Sequence, residues 1–329
     1  MTRDSLRYRQ EGFILIVVLG AVLVLSGLLF GFNQMARTRL DTADGFYRAE
    51  QTWAGAWAGV QVAIAGIRDA NDAGTDPQSG QRLTGDSVFS IDDTSCSLTI
   101  TEESGLLNVN RLKDPNGRLD RKGIDRFLRL IDLVNAQRDG SPRIGYGLVP
   151  CLIDWIDPDD EVTYLPFIQR ENTGVENGYY AAQSPPGPCR NQPLDTLDDL
   201  LSVKGATPEA VGRLRPYLTC VGDGKININA APKLVIQSLS EPMDAALAQV
   251  ILNRRERKPF ESVEQLRSLP GMTDNVYQDI RTAITVKATD RFYRVTSQAS
   301  LSNRRCTIEA LLRRNTQAGT VDIVSYRER

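Results

Sequence analysis

The run FILIVVLGAVLVLSGLLFGF, residues 13–32, decides how the rest of the chain must be read. An uncharged apolar stretch of about 20 residues is long enough to cross a bilayer as a helix. The preceding MTRDSLRYRQEG carries Arg3, Arg7 and Arg9, which the positive-inside bias keeps in the cytoplasm. A removable secretory signal would have a shorter apolar core, roughly 7–15 residues, and a small-residue cleavage site close behind it. Neither feature is present. The expectation is a single-pass inner-membrane anchor, with the N-terminus cytoplasmic and the bulk of the chain periplasmic.

The junction before this run is specific. A short polar leader ends in Gly12, and Phe13 begins the apolar run without a spacer. This resembles the leader of type IV pilins and type II secretion pseudopilins, which prepilin peptidase cuts after the glycine. The resemblance implies cleavage between Gly12 and Phe13 and methylation of the new N-terminus. Most members carry Glu at the fifth mature position, where this chain has Val17. A carboxylate at that depth is costly in lipid and is kept for a purpose, pairing with a neighbour's terminal amine. Val17 is therefore a candidate assembly position.

Composition narrows the chemistry. The 329 residues carry a net charge of −2, which gives no basic footprint for nucleic acid. No histidine is present, so His-dependent triads and imidazole zinc sites are excluded by inventory. The cysteines, Cys96, Cys151, Cys189, Cys220 and Cys306, contain no C-x-x-C pair. A periplasmic location is compatible with one or two disulfides, and buried free thiols are the other reading.

Beyond the anchor, Phe46, Trp53, Trp57, Val60, Ile64 and Ile67 recur at helical spacing and predict an amphipathic continuation of the same helix, with the stripe in the core. Residues 69–85, rich in Gly, Asp, Asn and Ser, read as loop. Alternating runs at 88–91, 97–101, 106–109, 292–297 and 306–312 read as strands. Between them, 113–283 has helical character and an internal repeat. Leu197, Leu200, Val203 and Gly205 recur as Val263, Leu266, Leu269 and Gly271. Leu214 and Leu218 recur as Ile280 and Ile284. Each copy reads as a helix, a glycine turn and a second helix. Asn229 is a candidate N-cap ahead of Pro232 in a first helical turn. The residues after Asn315 read as a polar, frayed tail.

The densest acidic cluster is Asp154, Asp157, Asp159, Asp160 and Glu161, followed by Glu176. Like charges at this density need solvent or a cation, and carboxylates suit calcium. Asp157, Asp159 and Glu176 are the first candidate ligands, and Asp154, Asp160 and Glu161 are reserves. A solvated acidic turn is the alternative. An acid–base pair is disfavoured because no nucleophile or oxyanion donor accompanies the cluster, so no catalytic residue is assigned. The repeated glycine turns resemble helix-hairpin-helix modules, and residues 226–286 resemble membrane-anchored DNA receptors of the competence type. Those modules bind phosphate through a G-x-G turn, whereas Gly205-Ala-Thr207 and Gly271-Met-Thr273 lack the second glycine.

Taken in order, the leader without the mature Glu and the segments ESGLLNVN (103–110), LIDWIDPD (152–159), GVENGYY (174–180) and NINAAP (227–232) resemble the minor pseudopilin K family of type II secretion, also called general secretion pathway protein K. The resemblance implies an α+β fold: a pilin-like long N-terminal helix plus an antiparallel sheet, with a large all-α, helix-hairpin-helix or SAM-like domain inserted in the sheet. The expected boundaries are leader 1–12, transmembrane helix 13–36, pilin-like helix and first strands 37–112, insertion 113–283 in two units (113–222 and 226–283), C-terminal strands 284–316 and tail 317–329. It also implies a non-enzymatic role at the pseudopilus tip, helping to initiate assembly and export folded proteins. The implied partners are the minor pseudopilins I and J, with H linking to the major pseudopilin G, and the implied cofactor is calcium on acidic loops. No nucleic-acid partner is expected. Asn177 stands where the family commonly has Asp, and the loop 162–173 lacks the family's usual Pro/Gly-rich character.

Overall fold

A computed structural model of the chain describes residues 4–70, 83–114, 116–137, 140–287 and 290–328, with side chains from Ile14 onward. The expected loop at 69–85 lies largely outside these residues. Gly12 and Phe13 lie on the backbone of the first helix, and their side chains are outside those described.

Helix α1 (Asp4–Asp69) is one continuous rod. From Ile14 to Phe32 its apolar side chains have no protein cover, and Phe30 is 74% exposed. Its last turns meet a sheet formed by β1 (Gly85–Ile91) and β2 (Thr94–Glu102) with three strands from the end of the chain. The chain then leaves the sheet for β3 (Leu107–Asn108), α2 (Arg121–Ala136), α3 (Leu148–Ile156), α4 (Asn177–Ala181), α5 (Pro208–Leu214), β4 (Leu218–Thr219), β5 (Ile226–Asn227), α6 (Lys233–Ser238), α7 (Ala245–Arg257), α8 (Asp274–Ile280) and β6 (Ile284–Thr285). It returns as β7 (Asp290–Leu301), β8 (Arg304–Asn315) and β9 (Thr320–Glu328). The sheet order is β1-β2-β7-β8-β9, antiparallel throughout.

The seat of α1 follows from two periodicities. Ala56, Val60, Ala63 and Ile67 share one helix face and are buried. On the sheet, Cys96, Leu98 and Ile100 of β2, Tyr293, Val295 and Ala299 of β7, and Cys306, Ile308, Ala310 and Leu312 of β8 alternate inward to meet them. Small residues set the distance. A Cβ on Gly59 would stand 2.1 Å from the Ser297 hydroxyl oxygen, so only glycine allows this approach.

The aromatic part of the expected stripe behaves otherwise. Val60 and Ile67 are fully buried and Trp57 and Ile64 pack at the core margin, but Phe46 is 72% exposed and Trp53 40%. Trp53 stacks on Trp57 with centroids 6.0 Å apart, and Trp57 takes Tyr326 of β9 edge-on at 5.4 Å.

Three further expectations are corrected. Residues 106–109 do not join the main sheet: β3 pairs in parallel with β4, Leu107 opposite Leu218. The insertion therefore starts directly after β2, near residue 103, and runs past β6 to the start of β7. Ile284 likewise belongs to the insertion, through the parallel β5–β6 pair. Residues 320–328 are not a frayed tail, because β9 pairs with β8 as the fifth strand.

The insertion is built from two copies of one device. Thr207 and Thr273 cap α5 and α8, each after a glycine of positive φ, Gly205 and Gly271. The structure adds the other half of each copy. Asn110 accepts from the Leu194 N–H and donates to the Leu194 and Cys220 carbonyls at 2.8–2.9 Å. Asn229 repeats this with the Phe260 N–H and the Phe260 and Val286 carbonyls. In both, the preceding N-x-N asparagine, Asn108 or Asn227, accepts from the backbone of the second. Asn229 is thus a strand-closing clamp rather than a helix cap, and Pro232 takes the cap position of α6.

Removing such a clamp leaves three backbone groups without partners. Asn110→Ala should destabilise the protein by about 2–4 kcal/mol, given about 1–3 kcal/mol for each buried group orphaned. Asn110→Asp should cost no less, because it turns a carboxylate oxygen towards the Leu194 and Cys220 carbonyls that the amide had bonded. Thermal unfolding of the full-length protein in detergent reads both changes.

Candidate functional site

Helix α3 is buried along its whole length and is apolar except at Asp154. It ends where Pro158 follows Asp157, since proline cannot continue the hydrogen-bond ladder. The Asp157 N–H still bonds the Ile153 carbonyl at 3.1 Å, so its carboxylate hangs from a fixed helix end. One turn earlier, Asp154 is fully buried and accepts from the Thr163 N–H at 2.9 Å. Gly174 presses on that carboxylate: a Cβ there would lie 2.1 Å from Asp154 Oδ2. The strand-like pass through Gly174 brings Glu176 beside α3, just before α4.

The result is a compact oxygen site. Asp157, Asp159 and Glu176 each offer a carboxylate oxygen within 4.8 Å of the others. Asp157 and Glu176 are buried, while Asp159 is exposed. Both oxygens of Glu176, one of Asp157 and one of Asp154 have no hydrogen-bond partner. Of the reserve candidates, Asp160 accepts from Asn177 at 2.5 Å and Asn191 at 3.3 Å, and Glu161 is exposed at the surface. Asp154, Asp160 and Glu161 stand outside the group of three.

Electrostatics make the site uncomfortable when anionic. Burial, reinforced by the Asp154, Asp157 and Asp160 charges, pushes Glu176 up to about 7. Burial pushes Asp157 up to about 6, against the pull of Lys113. The ammonium of Lys113 hydrogen-bonds Asp157 and lies 3.6 Å from Asp159. Burial lowers the affinity of Lys113 for its proton, but the hydrogen bond and charge of Asp157, with Asp159 behind it, leave it above its ordinary value. This lysine carried no sequence signal, because it sits about 40 residues before the acidic run. Neither did Asn191, whose amide donates to the Asp159 carbonyl at 2.9 Å while its own carbonyl oxygen has no partner.

Buried oxygens without donors are expensive unless a cation faces them. An all-oxygen, mostly carboxylate donor set is what a hard divalent ion takes. The residues present therefore fit calcium, and a freely solvated turn does not describe Asp157 or Glu176.

The remaining candidates look different. All five cysteines are free thiols, and burial pushes Cys151 up to about 11 and Cys189 and Cys220 up to about 12. The glycine turns of the two hairpins pack on the protein itself: a Cβ on Gly205 would meet the Leu148 backbone, and one on Gly271 would meet Leu247.

Two family models described as "Type II secretion system (T2SS), protein K" match residues 105–223 and 226–287, together more than half of the chain. The chain belongs to the protein K family of type II secretion. Relatives in this family include the protein of Klebsiella pneumoniae, 24% identical over 98% of this chain and 97% of its own. The protein of Aeromonas hydrophila is 23% identical over 67% of this chain and 66% of its own. The fold is also shared with a chain in the crystal structure of the GspK-GspI-GspJ complex from enterotoxigenic Escherichia coli. That match has a TM-score of 0.66 and 18% identity, covering 88% of this chain and 99% of that one. The α+β architecture and the family read from the leader and motifs are thus those of protein K.

The carboxylates of the site give a pH dependence of known sign. In the folded state Glu176 and Asp157 hold protons up to about pH 7 and about pH 6, well above ordinary carboxylates. The folded state then binds more protons than the unfolded one, so stability falls as pH rises. Without divalent ions, the melting temperature of the wild-type protein should drop between about pH 4.5 and 7. Glu176→Gln should flatten most of that drop. A melting temperature that rises through this window would contradict the assignment.

Proposed function

We propose that this chain is a structural, non-enzymatic minor pseudopilin at the tip of the type II secretion pseudopilus, helping to initiate its assembly and the export of folded proteins. Its membership of the protein K family supports this reading, and so does its shared fold with a chain of the GspK-GspI-GspJ complex. The partners proposed here are the minor pseudopilins I and J, with H connecting to the major pseudopilin G. The anchor lies in the inner membrane with its N-terminus cytoplasmic and the rest periplasmic. Prepilin peptidase removes residues 1–12, leaving Phe13 as the new terminus.

The observation that carries the tip position is Val17. Each shaft subunit supplies a mature Glu to a neighbour's terminal amine, and residues 13–36 here contain no carboxylate at all. A subunit that cannot neutralise its neighbour is tolerated at an end, where one neighbour is missing. The bulk of the insertion, carried outside the sheet between β2 and β7, argues the same way, because repeated along a shaft it would crowd the helical packing.

Two experiments test these readings. Gold labelling of assembled pseudopili should place this protein once, at an end, with a mature mass that begins at Phe13. Regular spacing along the shaft would overturn the tip assignment. Calcium, proposed at Asp157, Asp159 and Glu176, binds the folded state alone and stabilises it by mass action, about 2.7 kcal/mol at a hundredfold excess over Kd. The full-length protein in detergent should therefore melt several degrees higher in calcium than in chelator. Asp157→Asn should abolish the difference. Equal melting temperatures with and without calcium would leave the acidic site without an ion.

A further inference from the structure

We propose that Lys113 is a built-in counter-cation of the acidic site, an ammonium that stands in for calcium in the metal-free protein and must swing away when the ion binds. This role rests on the calcium reading above and concerns how the same site is regulated.

The geometry places the ammonium on the site itself. Its nitrogen hydrogen-bonds Asp157 Oδ2 and lies 3.6 Å from Asp159 Oδ2, and both carboxylates belong to the group of three. The Lys113 side chain is only 18% exposed and that of Asp157 2%, so solvent does little to screen the pair. Divalent and monovalent charges crowded on the same oxygens repel one another at this range. The ammonium cannot satisfy the site completely. Glu176 keeps two unpartnered oxygens and Asp157 keeps one. One positive charge thus faces two buried carboxylates and one exposed one, a partial neutralisation that a divalent ion would complete.

The backbone of this lysine is pinned while its side chain has somewhere to go. Lys113 bridges to Leu119, the Asp120 N–H bonds the Leu112 carbonyl at 2.9 Å, and Leu112 is buried. Lys113 also borders a cleft of about 330 Å³, lined by the carboxylates Asp114, Asp120 and Asp223 and by the cations Arg111, Lys122, Arg126 and Lys225. A displaced ammonium would have the open volume of that cleft to turn into, where it would share three carboxylates with four other cations. The exchange is therefore a side-chain rotation, and it sets calcium affinity by a competition within the molecule. A site half-closed by its own lysine answers to calcium only above the level at which the ion outcompetes it.

Calorimetric titration of calcium chloride into the full-length protein in detergent tests this directly. Lys113→Met keeps the stem and removes the charge, and should tighten calcium binding about tenfold or more, while its metal-free form melts lower than wild type. Lys113→Arg should bind calcium no more tightly than wild type. A second measurement uses the unaltered protein: reductive methylation of Lys113, followed by peptide mass spectrometry, should be slow in chelator and several-fold faster in saturating calcium. If calcium binds wild type but Lys113→Met binds it equally or more weakly, the ammonium is no competitor and the proposal fails. Should that variant not fold, a methylation rate unchanged by bound calcium overturns it alone. If neither wild type nor Lys113→Met takes up calcium, the calcium site itself is wrong and the counter-cation role falls with it, a result distinct from the other two.

Discussion

One rod has to satisfy two solvents. From Ile14 to Phe32, α1 exposes apolar side chains all round, whereas its last turns bury a narrow stripe, Ala56, Val60, Ala63 and Ile67, against a sheet. Because the helix is unbroken from Asp4 to Asp69, the orientation of everything else follows from that seat. Glycine at position 59 lets the rod sink to contact distance with β7, and the alternating residues of β2, β7 and β8 set the rotation. Burying each Val or Ile of this kind contributes about 1.5–3 kcal/mol. The insertion is then held to this frame by charge as well as by its chain ends. Buried Glu103 pairs with Arg294 of β7 at 2.8 Å, and Asp198 is shared by Arg215 within the insertion and Arg327 of β9.

Much of this architecture was legible because it obeys short-range rules. An uncharged apolar run, two-residue alternation and a repeated helix–glycine–helix pattern announced the anchor, four strands of the sheet and the paired hairpins. What escaped has identifiable physics. β9 is an edge strand whose side chains mostly face solvent, so its sequence, TVDIVSYRE, carries little of the alternation that betrays a half-buried strand. β3 reads as an ordinary strand and gives no sign that its partner lies more than a hundred residues away. The second half of the repeat, Asn108-x-Asn110 and Asn227-x-Asn229, hid because it recurs at a different offset from the hairpins. Phe46 and Trp53 keep the spacing of a buried stripe yet stay exposed where Arg304 of β8 already approaches Gly45, and helical period alone does not say which face a covering layer takes.

At the acidic site the residue types pointed to a hard cation, and the structure shows Asp157, Asp159 and Glu176 converging, with buried, unpartnered oxygens on Asp157 and Glu176. Invisible beforehand was the lysine that shares the space, since Lys113 lies far before Asp157 in the chain and only the folded structure brings the two together. Gly174 stood out only as the first residue of GVENGYY, with no sign in that motif that any side chain there would displace the Asp154 carboxylate.

The placement of the insertion has a consequence for the order of events at synthesis. The face of α1 that must be covered emerges first, but β7 and β8, which cover most of it, come from residues 290–315. Until the chain is almost finished, only β2, with Phe89 of β1 and Leu83, shields the Ala56–Ile67 stripe, while the insertion already has every residue its own core requires. Contacts of such long sequence separation form late, because loop closure must precede any gain from them. The polypeptide therefore matures from its middle outward. The sheet that seats the anchor closes last, and for that interval a membrane-tethered, half-clothed helix stands open to other helices of the same kind.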